Sequence, residues 1–138
     1  NSLPTKGLAF ISLKNSNKDE GVALAKQLSG LNFKLCGTGG TAEYISKHGI
    51  KCKKINKVNQ GSPHIVDVLN AKKIALVINT GGGNSEKQLK DALALRRATL
   101  ANKVPYCTNM STAQVCIEGI KSLKNRDIQV ISLQDVKS

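Results

Sequence analysis

The residues best suited to chemistry in this chain form a glycine- and threonine-rich turn. The turn follows a short apolar run and precedes a segment with helical spacing. The first N–H groups of a helix lack intrahelical partners, and the helix dipole adds partial positive charge at that end. Gly39 and Gly40 permit close approach to the backbone, while Thr38 and Thr41 add hydroxyl donors. The turn alone leaves two interpretations open: a phosphate site, or residues used only for turning and capping.

Composition favours an anionic partner. The chain has 138 residues, with 21 Lys and Arg against 9 Asp and Glu, and a formal net charge of +12. Such a charge favours nucleic acid or a phosphorylated metabolite, although a basic surface alone is a third interpretation. Aromatic residues make up 3% of the chain, too few for a stacking platform on single-stranded nucleic acid. No recognition motif is present either, so we expect no nucleic-acid partner.

The cysteines indicate a reduced environment and no metal site. The four thiols, at positions 36, 52, 107 and 116, form no CxxC pair and have no zinc-like spacing with His48 and His64. We interpret them as small buried residues of a cytoplasmic protein. No signal peptide or apolar segment of membrane length is present, so no membrane partner is expected. Residues 1–6 resemble a linker, and 1–138 is expected to be one domain excised from a longer protein.

Strand-like and helix-like segments alternate along the chain. Strands are predicted at 8–13, 33–36, 51–55, 74–78 and 104–107, with another short strand at 128–133. Helices are predicted near 17–30, 41–49, 63–69, 87–101 and from about 110 to 120. The alternation predicts an α/β fold, a three-layer α/β/α sandwich around a central parallel five-stranded sheet. In such sheets, ligands bind beyond the carboxyl ends of the strands.

This rule gathers polar residues from the strand ends onto one rim. They are Ser12, Thr38 to Thr41, Asn56-Lys57, Asn79-Thr80 and Thr108. Such donors beside helix N-termini predict an anion pocket. Asp67 and Asp91 do not obviously converge with a second carboxylate, so no acid–base pair is visible. His64 is interpreted as a structural contact, and Arg96 and Arg97 as helix surface in preference to an anion clamp.

Several segments, in order, resemble one known family. They are Phe-Ile-Ser, Asn-Lys-Asp-Glu, Thr-Gly-Gly-Thr-Ala-Glu-Tyr, the run from Ile55 to Asp67, Leu-Val-Ile-Asn-Thr and Arg-Arg-Ala-Thr-Leu. Together they resemble the C-terminal regulatory domain of the carbamoyl-phosphate synthetase large subunit, bacterial type, from about Gly7 to Leu133. The resemblance implies the methylglyoxal-synthase-like fold, a Rossmann- or flavodoxin-like α/β sandwich.

The resemblance also implies a regulatory domain with no catalytic residue of its own. In the family, nucleoside monophosphates bind here: uridylate (UMP) inhibits, inosinate (IMP) competes, and ornithine activates at the junction with the rest of the subunit. Carbamoyl phosphate synthesis for the pyrimidine and arginine pathways is thereby controlled. No cofactor or metal is expected in this domain, because ATP and metal ions act in other domains of the parent ligase. The implied partners are those domains, the glutaminase subunit and possibly a second copy.

Position by position, the resemblance implies a set of effector contacts. Phosphate and nucleotide contacts fall on Lys18, Thr38, Gly39, Gly40, Thr41, Lys57, Asn79 and Thr80. Ser12, Val58, Asp91 and Leu95 are implied to line the rest of the pocket, and Thr108 to contribute to the ornithine site. The sequence departs from the family at Gly81, where another hydroxyl residue is common, and the loop from 82 to 88 is slightly longer. These departures leave the preferred nucleotide open.

Two enzymes with related sequences are the alternatives. A stand-alone methylglyoxal synthase needs a carboxylate base in a Gly-Gly-Asp loop and an aspartate after the fourth strand. The chain instead has Gly61-Ser62-Pro63-His64 and Asn79-Thr80-Gly81 at these places. The cyclohydrolase domain of purine synthesis shares the Thr-Gly-Gly-Thr-Ala turn but continues with Arg-Val-Lys-Thr-Leu-His-Pro, which this sequence lacks. Both are disfavoured, and the regulatory domain is the prediction.

Overall fold

Strands and helices alternate in space as they do in sequence. The computed structural model describes the backbone of residues 3–81 and 85–137, and the side chains of these residues as far as 126. The elements are β1 Gly7–Ser12, α1 Lys18–Gly30, β2 Phe33–Gly37, α2 Gly39–Lys47, β3 Lys53–Lys54, α3 Ile65–Asn70, β4 Ile74–Asn79, α4 Glu86–Ala101, β5 Tyr106–Cys107 and α5 Met110–Lys137. The sheet order is β3-β2-β1-β4-β5, with parallel pairing throughout. The predicted α/β fold with a five-stranded parallel sheet is confirmed.

Two apolar clusters, one on each face of the sheet, produce the three layers. Ala9 and Ile11 of β1 enter one cluster and Phe10 enters the other, because successive side chains of a strand point to opposite faces. The helices add Leu28 (α1), Ile45 (α2) and Ile117 (α5) to the first cluster, and Leu69 (α3) and Leu95 (α4) to the second. Because both faces are covered, the central strands are almost continuously apolar.

The segment 128–133 is helical, so the predicted strand there is wrong. It belongs to α5, which runs from Met110 to Lys137. An apolar run this short fits a strand or a helix equally well. Neither glycine nor proline follows Gly119, so the sequence offers no residue that would break the helix. Like the other helices in the described part of the chain, α5 is not long and apolar enough to cross a membrane.

Helix α3 begins at Ile65, later than the predicted start at Pro63. His64 is its N-cap residue and is extended, with φ −130° and ψ −179°. A parallel bridge joins Asn56 to His64, and Ile65 N donates to Asn56 O at 3.1 Å. These contacts hold the chain extended as far as His64, so Pro63 lies in the turn before the helix.

The three central strands position the polar rim. Ser12 at the end of β1 is paired in register with Asn79 at the end of β4. Thr38 follows β2 directly and is the N-cap residue of α2. Because β1 lies between β2 and β4, these three residues meet at one edge of the sheet.

Candidate functional site

A cavity of about 550 Å³ opens at this edge of the sheet. Its described lining residues are Phe10, Ser12, Leu13, Lys14, Asn15, Lys18, Thr38, Gly40, Thr41, Lys57, Val58, Asn59, Gln60, Ile65, Asn79, Gly81, Gln88, Asp91, Ala92 and Leu95. The volume is within the range of small-molecule sites. Apolar side chains supply part of the wall, while hydroxyls, amides and lysines supply the groups that can orient a ligand.

Three hydroxyl groups form the inner part of the cavity. Ser12 Oγ and Thr38 Oγ1 are 3.1 Å apart, and Thr41 Oγ1 accepts a hydrogen bond from Leu13 N at 3.0 Å. Thr38 and Thr41 are only 6% and 2% exposed. Thr41 Oγ1 acts as an acceptor in its bond, and the Ser12–Thr38 contact uses only one of the two hydroxyl hydrogens. The inner cavity can therefore offer two hydroxyl hydrogens to a ligand.

Lys18 brings positive charge to the first turn of α2. A Cβ built on Gly40 would lie 3.3 Å from Lys18 Nζ, so the ammonium group lies against that turn. Thr38 makes no side-chain capping bond to α2, since its hydroxyl is turned to Ser12. The N–H groups that open the helix have no intrahelical partners, and the helix dipole adds to the charge of Lys18. Together these groups form an anion site.

Asn79 and Thr80 fix the end of β4. Asn79 is 8% exposed; its Nδ2 donates to Tyr106 Oη and its Oδ1 accepts from Gly81 N, both at 3.3 Å. Thr80 N donates to Ser12 O at 2.9 Å, and Thr80 Oγ1 accepts from Lys14 N at 3.1 Å. These bonds join the chain after β1 to the chain after β4 and orient the Asn79 amide in the cavity.

Charge in the described lining is predominantly positive. The described lining contains one carboxylate, that of Asp91, and three lysines, Lys14, Lys18 and Lys57. Asn59 Nδ2 donates to Asp91 Oδ2, which connects the 3₁₀ turn Val58–Gln60 to α4. One carboxylate with no histidine among the described lining residues does not form an acid–base pair. The described residues also contain no group of three or more His, Cys, Asp or Glu that could hold a metal ion.

The structure brings together most of the predicted site residues. Ten of the thirteen line the cavity: Ser12, Lys18, Thr38, Gly40, Thr41, Lys57, Val58, Asn79, Asp91 and Leu95. Gly39 lies beside another side chain, since a Cβ there would be 3.0 Å from Lys54 Cε. Thr80 makes the backbone contacts described above, and Thr108 is exposed after β5. None of these last three is in the described lining.

Sequence reasoning missed five polar lining residues. They are Lys14, Asn15, Asn59, Gln60 and Gln88. Lys14 and Asn15 lie within three residues of the end of β1, so the strand-end rule that selected Ser12 should have included them. Asn59 and Gln60 lie in the 3₁₀ turn, where Gln60 Oε1 accepts from Lys57 N at 2.7 Å. No local motif in the sequence marks that turn.

His64 lies beside the cavity and outside its described lining. Its backbone N–H donates to Asp67 Oδ2 at 2.9 Å, and its buried Nδ1 lies 3.6 Å from the same oxygen without a hydrogen-bond partner. The backbone hydrogen bond is the main cause that lowers the pKa of Asp67 from its ordinary value of 3.8. The pair anchors the start of α3 and the loop that precedes it.

The architecture and the sequence agree with one protein family. A family model described as "MGS-like domain" matches residues 20–108, which is more than half of the chain. The chain belongs to the MGS-like domain family. The match includes the turn of Thr38 to Thr41, Lys57 and Asn79, whereas Ser12 and Lys18 precede the matched residues.

Two sequence relatives and one solved structure show which proteins this MGS-like domain is similar to. The carbamoyl phosphate synthase large chain of Rhizobium meliloti (strain 1021) is 42% identical over 132 residues, 96% of this chain and 11% of the relative. A C-terminal section of that enzyme's large chain from Methanopyrus kandleri is 38% identical over 134 residues, 97% of this chain and 24% of the relative. The chain thus spans a small part of these relatives. A methylglyoxal synthase structure from Elizabethkingia anophelis NUHP1 has a TM-score of 0.61 at 16% identity, covering 85% of this chain and 80% of that one, which shows a shared fold.

Proposed function

We propose that this chain is the regulatory, effector-binding domain of a carbamoyl phosphate synthase large chain, and that the cavity binds a nucleoside monophosphate. The observation that carries the proposal is the position of Lys18 against the first turn of α2, beside the buried hydroxyls of Thr38 and Thr41. A phosphate group there would meet one ammonium, the helix N–H donors and two hydroxyl hydrogens. These are the donors that a phosphate monoester, with nearly two negative charges at neutral pH, binds best.

The remainder of the cavity suits a nucleoside. Val58 and Leu95 provide apolar contact, and the amides of Asn59 and Gln60 provide hydrogen-bond donors and acceptors. Asp91 accepts from Asn59 through one oxygen and has acceptor capacity left for sugar hydroxyls. Lys57 and Asn79 lie in the same lining and would contact phosphate or ribose. UMP and IMP both have the required chemistry, so either is a candidate effector.

The proposed role is regulatory because the described lining contains no acid–base pair, which a methylglyoxal synthase would require. ATP-dependent chemistry and its metal ions would belong to other domains of the large chain in the cytoplasm, with a glutaminase subunit supplying ammonia. Thr108 would contribute to ornithine activation at the junction with those domains, and copies of the large chain would meet through this domain.

Regulation requires that the effector bind one arrangement of the domains better than another, and this difference typically amounts to about 1–3 kcal/mol of coupling free energy. Pyrimidine and arginine synthesis would be controlled in this way.

Calorimetric titration with UMP, IMP and uridine tests the proposal. We expect saturable UMP binding, and uridine binding that is weaker by at least about tenfold because uridine lacks the phosphate. Lys18→Ala should weaken UMP binding by roughly 10- to 100-fold, the effect of removing one hydrogen bond to a charged group. The matched control is Lys26→Ala, because Lys26 is an exposed lysine of the same helix α1 and lies outside the described lining. Equal affinity for UMP and uridine, or an unchanged UMP affinity of the Lys18→Ala variant, would contradict the proposal.

A further inference from the structure

Two cysteines lie close together between the last strand and the last helix. Cys107 ends β5 and Cys116 lies on α5, with their Sγ atoms 3.3 Å apart. A disulfide bond is about 2.05 Å long, so the sulfurs need to approach by only about 1.2 Å more. Both residues are free thiols, and nothing in the regulatory function proposed above uses them. Their contact is therefore a feature that needs its own explanation.

We propose that Cys107 and Cys116 are a modification site, where a low-molecular-weight disulfide such as oxidised glutathione converts the two thiols to an intramolecular disulfide. Cys116 is partly buried, whereas Cys107 is 1% exposed, so Cys116 reacts first. Its thiolate attacks one sulfur of glutathione disulfide, that S–S bond breaks, and one glutathione leaves and takes up a proton. Cys107, as the thiolate, then attacks Cys116 Sγ in the mixed disulfide and expels the second glutathione. Two protein thiols are oxidised, and one glutathione disulfide is reduced to two thiols.

The environment of each sulfur fixes this order. Burial, followed by the hydrogen bond with Cys116, raises the pKa of the Cys107 thiol above its ordinary value. Thiolates are the attacking species, so Cys107 is a poor first nucleophile but stands in contact with the sulfur it must attack. Cys36 does not compete, because it is fully buried and donates to Ala9 O at 3.6 Å. The pair is thus arranged for closure once Cys116 has reacted.

The experiment treats the folded chain with oxidised glutathione, quenches and unfolds it in acid, blocks the remaining thiols with an alkylating agent under denaturing conditions and maps the peptides by mass spectrometry. We expect a peptide pair joined through Cys107 and Cys116, with a loss of two hydrogen atoms. Closure should accelerate about tenfold per pH unit near neutrality, because the Cys107 thiolate fraction rises by that factor below its pKa. Cys52→Ser is the control and should still form the cross-link.

Two single variants separate the steps. Cys107→Ser should retain glutathione on Cys116, because the closing thiol is missing, and Cys116→Ser should leave Cys107 free of glutathione. A stable mixed disulfide on Cys116 in the unaltered chain, or a Cys107 that stays alkylatable after oxidation, would overturn the proposal. Neither readout involves a nucleotide, so the outcome is independent of what the cavity binds.

Discussion

The two ends of the cavity are built in different ways. The anion end, which we define as Ser12, Lys18, Thr38 and Thr41, rests on hydrogen bonds between the ends of adjacent strands and the start of α2. The distal end, which we define as Asn59, Gln60, Gln88 and Asp91, consists of exposed or partly exposed side chains on a 3₁₀ turn and on α4. The anion end is formed by the strand ends and the start of α2, whereas the distal end is formed by side chains on the protein surface.

Because of this difference, we expect the anion end to set the charge class of the ligand and the distal end to set which ligand of that class binds. A change at Ser12, Thr38 or Thr41 disturbs hydrogen bonds that join the end of β1 to the start of α2, so phosphate recognition in the proposed site would be coupled to stability. A change at the distal end disturbs exposed side chains and costs the fold little. In the proposed function, the anion end would recognise the phosphate, and the distal residues would choose among ligands that share it. Three substitutions test whether the two ends differ in this way.

The largest effect is expected for Thr41→Val. Valine has a similar shape but no acceptor, so Leu13 N–H would be left buried without its partner. The free energy of unfolding should fall by about 1–3 kcal/mol, the usual cost of an unsatisfied buried donor. UMP, IMP and orthophosphate should all bind more weakly by a similar factor, because the lost hydroxyl would face the phosphate in the proposed site. Urea denaturation and calorimetry measure the two effects.

Thr41→Ser is the matched control, because serine retains the hydroxyl and should restore most of both losses. A Thr41→Val variant with unchanged stability would show that the Leu13–Thr41 hydrogen bond does not couple the site to the fold. Weaker binding of one nucleotide alone would place the Thr41 hydroxyl at the sugar or base and not at the phosphate.

A smaller and more selective effect is expected for Asn59→Ala at the distal end. Asn59 is exposed, and its side chain donates to Asp91. Removing that donor frees the Asp91 carboxylate, so the ratio of UMP to IMP affinity should change by roughly two- to tenfold, about the value of one hydrogen bond. The urea midpoint and the affinity for orthophosphate should stay the same. The control is Asn70→Ala, an exposed asparagine of α3 outside the described lining. An equal loss for every phosphate-bearing ligand would contradict the division into two ends.

Sequence reasoning succeeded where the signal was local. The central strands were found because β1, β2 and β4 are short apolar runs. Thr38 and Thr41 were selected because they belong to one continuous turn at a strand end, whereas Lys18 was implied by the family resemblance alone. It failed at 128–133, where an apolar run had no local feature to distinguish a helix from a strand. The distal end depends on a contact between Asn59 and Asp91, which are 32 residues apart. Such a pair forms only when α4 packs beside the 3₁₀ turn, and no spacing rule in a single sequence encodes that packing.

The smallest effect is expected at the anchor of the loop that carries Lys57 and Asn59. Asp67 accepts the backbone N–H of His64, and this bond lowers the pKa of Asp67 below its ordinary value of 3.8. A carboxyl whose pKa is depressed by folding contributes stability above the unfolded value, and that contribution is lost as the pH falls through the folded value. The urea midpoint of Asp67→Ala should therefore lie slightly below that of the unaltered chain at pH 7, with the gap narrowing below about pH 3.8. Asp67→Asn retains a hydrogen-bond acceptor and should lose only the part of the stabilisation that depends on the charge of Asp67. A gap that is constant with pH would mean that the Asp67 charge does not stabilise the loop.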